Sequence, residues 1–331
     1  FKDIEKKVGK DVKTEEYESL TDEANALLNG NVDAAVFNEG YMSMIDESVE
    51  GFSDQVRILY QYGIKTKLKE EKKADVQEPF NVFISGIDVA GPITTNSRSD
   101  VNIIMTVNPN TKQILLTTTP RDYYVDTAAS AGAKDKLTHC GMYGIDCSMA
   151  TLENLYGIDI SYYARVNFTS LETIVDALGG VDVNSEVEFE KNGYSFHKGV
   201  NHMNGAQALT FSRERYSFAE GDNQRGKDQE AVLTAIIQKA TSPAIIKSAN
   251  EILATVSDCV ETNMTSDEMA KFINMQLNDG ASWNIESQAA SGKGDTQACY
   301  SSGSQLLYVM WPDEAVVANV SDKMQKVLTE K

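Results

Sequence analysis

The stretch NVFISGID, residues 81–88, decides the fold. Val82, Phe83, Ile84 and Ile87 make a short apolar run that reads as a buried strand. A loop with Gly86, Gly91 and Pro92 follows. VNIIMTV (101–107) and QILLTTT (113–119) then read as two strands, with a hairpin turn at Asn108, Pro109 and Asn110. Helical patterns occupy 148–156 and 169–178, the latter stopped by Gly179 and Gly180. VDVNSEVEFE (181–190) alternates like a strand, and ALTFSRER (208–215) reads as another. Asp222 is placed to cap a long helix through Lys239, with Pro243 just beyond it. Strands alternating with helices predict a layered α/β domain.

Upstream, residues 1–76 have a different character. They are rich in Lys and Glu, and 15–31 reads as a helix with a turn at Gly30. Residues 34–37, in NVDAAVFNE, read as a short buried strand. The run KTKLKEEKKAD, 65–75, is almost entirely charged and marks the domain boundary.

Composition narrows the function. The chain has 331 residues, 41% hydrophobic and 24% charged, enough for one large domain and a smaller one. A net charge of −19 argues against binding nucleic acid. No run reaches the length of a membrane span, and no signal peptide is present. The chain begins at Phe1 rather than Met, as expected if an upstream segment has been removed. Cys140, Cys147, Cys259 and Cys299 form no CxxC pair, and the three histidines give no zinc spacing. The even count predicts two disulfides, with three connectivities open. Cys140–Cys147 with Cys259–Cys299 is the simplest.

Arginine carries the chemistry. The chain has seven arginines against 23 lysines. Five of the seven fall in three short segments: Arg98 in SRSD, Arg121 in TPRD, and Arg213, Arg215 and Arg225 within SRERYSFAEGDNQR. The planar guanidinium fork matches phosphate oxygens bidentately, so this concentration points to a polyanion such as pyrophosphate. On a strand, Arg213 and Arg215 would share a face. On a helix, Arg225 and Gln229 would too. Asp88 and Asp100 flank the first loop, and one or two carboxylates with phosphate oxygens and water is how Mg²⁺ is held. No GxxxxGK[ST], GxSxG or GxGxxG motif offers another chemistry.

At these residues the sequence resembles the LytR-CpsA-Psr family. The matching blocks, in order, are NVFISGID, SRSDVNIIMTVNPNTKQILLTTTPRD, KDKLTH, ENLYGIDISYYARVNFTSLETIVDALGGVDV, HKGVNHMNGAQALTFSRER and GDNQRGKDQE. The resemblance implies an α–β–α layered domain with a central mixed sheet over 77–331, including a C-terminal extension. Residues 1–76 resemble part of a small α/β accessory domain of capsule-type members. It also implies a membrane-anchored enzyme on the outer face of a Gram-positive cell. That enzyme moves a glycopolymer, such as capsule or teichoic acid, from a polyprenyl-pyrophosphate carrier to peptidoglycan. Carried over by position, Arg98, Arg121, Arg213, Arg215 and Arg225 would clamp the pyrophosphate. Gln229 and Asp222 would assist, and Asp88 and Asp100 would hold Mg²⁺ or Mn²⁺. Hydrolysis of the same lipid, or a non-catalytic receptor role, are the alternatives.

Some positions depart from the family pattern. Thr119 precedes PRD where serine or isoleucine is usual, GMYGID replaces a double glycine, and Asp228 stands where a basic residue is frequent. Ile158, Ile160, Leu171, Ile174, Val175, Leu178, Val232, Leu233 and Ile236 are available to line a lipid tunnel or to form plain core.

Overall fold

A computed structural model describes the chain except for residues 1, 10, 62, 64–73, 88–92, 131, 219–221, 243, 244, 246 and 247. The opening stretch forms strand β1 (Phe80–Ile87), buried along almost its whole length. It pairs antiparallel with β2 (Ser99–Asn108), which pairs antiparallel with β3 (Gln113–Thr118). Asn108 makes the turn, its side-chain oxygen accepting the N–H groups of Asn110 and Thr111. Tyr162–Val166 adds in parallel to β1 and Asn284–Ala289 in parallel to β3. Glu261–Thr262 completes a six-stranded mixed sheet.

Burial on both faces explains why these strands read as continuous apolar runs. Phe83, Ile104 and Leu115 point into one core, covered by helices Ile145–Tyr156 and Glu314–Thr329 through Leu152, Tyr156, Val320 and Met324. Val82, Ile103 and Leu116 point into the other, against Leu233 and Ile237 of helix Asp222–Ala240 and Phe272 of helix Ser266–Asp279. The result is the expected α–β–α layering. A third core joins the outer side of the Asp222 helix to helices Phe168–Ala177 and Gly205–Arg213. The candidate tunnel residues are split among these cores: Ile158 and Ile160 in the first, Leu233 in the second, the other six in the third.

Three sequence readings are corrected. ALTFSRER is not a strand: 205–213 is a helix started by a capping box, in which Asn204 accepts from Gln207 N–H and Gln207 accepts from Asn204 N–H. Residues 34–37 form no strand, and Val36 is 50% exposed. Before Phe80 the described elements are short helices, including Leu20–Leu28, Met42–Ser48 and Phe52–Gln55, which close over Ala24, Ile45 and Phe52. This segment meets the main body where the hydroxyls of Tyr41 and Tyr143 hydrogen-bond at 2.6 Å.

The third correction concerns the cysteines, which are all free thiols. Cys140 and Cys147 are buried neighbours that share Thr127. Their mutual hydrogen bond pulls the Cys147 thiol below the usual range and pushes Cys140 above it. Cys259 and Cys299 are tied to different elements. The Cys259 carbonyl accepts from Ser170 Oγ, whereas Cys299 N–H donates to Ser302 Oγ at 3.2 Å.

Candidate functional site

The β2–β3 hairpin builds the first wall. Ile103 faces Thr118, and continuing that register sets Asp100 opposite Arg121. Arg121 Nη1 donates to Asp100 Oδ1 at 2.9 Å. Thr138 Oγ1 donates to the same oxygen at 3.0 Å, and Thr138 N–H donates to the Arg121 carbonyl at 2.9 Å. Arg121 Nε also lies 3.8 Å from Asp122 Oδ2, and Lys136 pairs with Asp122. The guanidinium is therefore aimed by carboxylates on two sides. Gly141 packs this wall from behind: a Cβ there would stand 2.4 Å from the Ser97 carbonyl oxygen, so the turn fits against the Arg98 segment only with glycine.

The second wall is the start of the Asp222–Ala240 helix. Arg225, Gly226, Lys227 and Gln229 line a cleft of roughly 240 Å³ together with Asp100, Asn102, Thr118 and Arg121, and Ala289, Ala290 and Ser291 also line it. A helix N-terminus carries partial positive charge, which here adds to Arg225 and Lys227. The helix is fastened to the sheet by Glu230, 6% exposed, whose Oε1 accepts from Thr118 Oγ1 at 2.5 Å. Burial pushes the Glu230 carboxyl up to about 7, although its bonds to Thr118 and Ser287 oppose the rise. Asp228 on the same helix is buried, accepts from Gln224 Nε2 at 2.9 Å, and is likewise pushed up by burial to about 7.

The structure thus brings Asp100, Arg121, Arg225 and Gln229 to one cleft. Arg98, beside Ser99 at the start of β2, and Arg213 and Arg215 are not among its lining residues. Arg213 ends its helix with the guanidinium 3.8 Å from the centre of the Phe168 ring. Arg215 lies over Tyr216 and donates to its hydroxyl at 2.6 Å. The two do not share a strand face, because the chain leaves the helix at Glu214 between them. They still border the cleft's helix: Gln229 Nε2 donates to the Ser212 carbonyl at 3.4 Å. Asp88 and the side-chain role expected for Asp222 lie outside the described residues.

Thr138, Lys136, Lys227 and the Thr118–Glu230 bond were not anticipated from the sequence. The first two sit in the KDKLTH block, whose charged and hydroxyl residues were the available signal. Arg165, by contrast, is a structural arginine. It is 4% exposed, and its Nε donates to Glu261 at 2.7 Å across the sheet edge.

Relatives with known structures share this architecture. The chain is 26% identical to Bacillus subtilis TagV with a TM-score of 0.65, over 77% of this chain and 99% of that one. It is 30% identical to B. subtilis TagU with a TM-score of 0.59, over 77% and 98%. By sequence it is 35% identical over 230 residues to the polyisoprenyl-teichoic acid–peptidoglycan teichoic acid transferase TagU of Bacillus cereus, 69% of this chain and 75% of that protein. The model of the LytR_cpsA_psr family matches residues 48–325, which takes in the whole sheet, both cleft walls and most of the C-terminal helix, and the chain belongs to that family.

Proposed function

We propose that this protein transfers a glycopolymer from a polyprenyl-pyrophosphate carrier to peptidoglycan. The observation that carries the reading is the cleft, in which a carboxylate-aimed arginine on a sheet loop faces Arg225, Lys227 and a helix N-terminus. Phosphoryl transfer depends mainly on positioning and on stabilising charge spread over phosphate oxygens. Arg121 and Arg225 supply forks for those oxygens from opposite walls, and Arg98, Arg213 and Arg215 are assigned to the phosphates and sugar beyond them. A peptidoglycan sugar hydroxyl attacks the glycopolymer-linked phosphorus. The new phosphodiester bond forms as the bond to polyprenyl monophosphate breaks, and the hydroxyl proton is released.

Among the described residues no three His, Cys, Asp or Glu side chains gather as a metal cage. We assign a Mg²⁺ or Mn²⁺ ion to one or two carboxylates together with substrate oxygens and water, with Asp100 and Asp88 proposed as the ligands. Such an ion would draw charge from the phosphate oxygens. No helix among the described residues is long and apolar enough to cross a membrane. We propose that the enzyme is held by a single membrane pass at the outer face of a Gram-positive membrane, with 1–76 as an accessory domain.

The test is reconstitution with a lipid-pyrophosphate-linked teichoic acid precursor and purified peptidoglycan. Covalent, phosphodiester-linked polymer that disappears in Arg121→Lys is expected. Release of polyprenyl monophosphate and soluble phosphorylated polymer without transfer would instead mark a pyrophosphatase, and neither product would end the enzymatic reading.

A further inference from the structure

Ala290 and Ser291, on the cleft wall, lead directly into a two-stranded hairpin, Gly292–Ala298 with Leu306–Pro312. The hairpin base is fixed to the cleft. Met310 N–H donates to the Asp122 carbonyl at 2.7 Å, Asp313 N–H to the Ser291 carbonyl at 3.2 Å, and Tyr123 Oη to that same carbonyl at 2.6 Å.

Trp311 sits one residue from this base, opposite Lys293. Its indole is 37% exposed and yet held: Nε1 donates to Asp295 Oδ2 at 2.9 Å, and the Tyr124 ring meets it edge-on at 4.9 Å. Asp295 also accepts from Gln297 Nε2 at 2.7 Å. The Lys134 ammonium lies 6.0 Å from the indole centre. The arrangement is an aromatic plate with a carboxylate and an amide at its edge and an ammonium over one side of the ring. An acyl chain laid on it would strip water from the Asp295 carboxylate and the Lys134 ammonium, a cost that their partners Gln297 and Asp126 offset only in part. A pyranose matches it, since its C–H face is apolar and its edge carries hydroxyls.

We propose that the face of Trp311, with Tyr124 and Asp295 at its edge, is a subsite for an amino-sugar residue of the acceptor glycan. The assignment rests on the proposed transfer to peptidoglycan and supplies the acceptor side that the arginine cleft lacks. The hairpin would lay the glycan strand along a line ending at the cleft, so that a sugar hydroxyl meets the phosphorus.

A soluble β-1,4-linked N-acetylglucosamine oligosaccharide tests this without any lipid donor. The chain has two tryptophans, and Trp283 is stacked on Phe272 with its Nε1 bonded to Gln276. A saturable change in emission, with matching calorimetric heat, is expected from Trp311. Trp311→Ala should weaken binding by roughly tenfold or more, while Trp311→Phe should recover most of it in the calorimeter. Tyr308 is 54% exposed on the opposite face of the same hairpin, so Tyr308→Ala should bind as the parent does. No saturable binding, equal affinity in Trp311→Ala, or equal weakening in Tyr308→Ala would overturn the subsite. Sugar binding in a protein that cannot transfer would overturn the proposed function alone. Transfer with Trp311-independent sugar binding would overturn the subsite alone.

Discussion

Arg121 and the Arg213–Arg215 corner hold the same residue type in opposite ways. At Arg121 the fold supplies carboxylates, Asp100 at 2.9 Å and Asp122 at 3.8 Å, that fix the guanidinium before any ligand arrives. At the corner Glu214, which lies between the two arginines in the chain, is paired with Lys191. Burial raises its carboxyl, but Lys191 at 2.8 Å and the backbone N–H groups of Ser217 and Tyr216 outweigh that and hold it down to about 2. The Arg213 and Arg215 guanidinium groups lie against the Phe168 and Tyr216 rings. A ring fixes the plane of a guanidinium. We read Arg121 as the preset clamp and the corner as the adaptable one.

If that contrast holds, the largest loss belongs to Arg121. Arg121→Lys keeps the charge beside Asp100 but removes the second fork nitrogen, and transfer should fall about 10²–10³-fold with little change in thermal midpoint. Activity within threefold of the parent would mean the preset geometry does not matter. Asp100→Ala comes next. It removes the acceptor shared by Arg121 and Thr138, so transfer should fall about 10²-fold and the Mg²⁺ activation curve should move to higher concentration. An unshifted Mg²⁺ curve would reduce Asp100 to a prop for Arg121.

The wall opposite Arg121 carries a pH signature. Folded Glu230 keeps its proton up to about 7, whereas an unburied glutamate releases it near 4.5. Between those values the unfolded chain binds fewer protons, so stability falls as pH rises through the window and levels off above it. Glu230→Gln keeps hydrogen-bonding groups for Thr118 and Ser287 but cannot ionise. It should flatten the decline by on the order of 2 kcal/mol between pH 4.5 and 7 in denaturant melts. Asp228→Asn should act with the same sign. Parallel curves for parent and Glu230→Gln would show that the carboxyl is not the titrating group.

How much of this could be read from the sequence differs by element. β1 was legible because a strand buried on both faces leaves a continuous apolar run. The turn at Asn108 was legible because Asn makes that turn with its own side chain. Together they set the register that places Asp100 opposite Arg121, 21 residues apart in the chain. ALTFSRER misled because a short apolar run suits either period, and the deciding signal lay upstream in the Asn204–Gln207 cap. Residues 34–37 were apolar enough for a strand, but no sheet edge pairs with them there. The Thr118–Glu230 bond spans 112 residues and two elements, so no spacing announces it. The cysteine count misled because an even number says nothing about which thiols meet: Cys140 and Cys147 are neighbours joined by a hydrogen bond and not by a disulfide.

The smallest expected effect tests the corner itself. Phe168 begins its helix and presents its ring to Arg213 at 3.8 Å. Phe168→Leu retains an apolar side chain and removes only the π face. A cation–π contact at a solvent-reachable site contributes about 0.5–1 kcal/mol, so transfer should fall roughly two- to fivefold, with the loss in KM for the lipid-linked donor rather than in kcat. Arg213→Lys should give a similar loss, because lysine keeps the charge but not the flat stack. The double variant should be no worse than either alone if the ring acts only through Arg213. Additive losses would mean that Phe168 and Arg213 serve the donor separately. A hundredfold loss in Arg213→Lys would erase the contrast with Arg121 and make the corner as preset as the sheet wall.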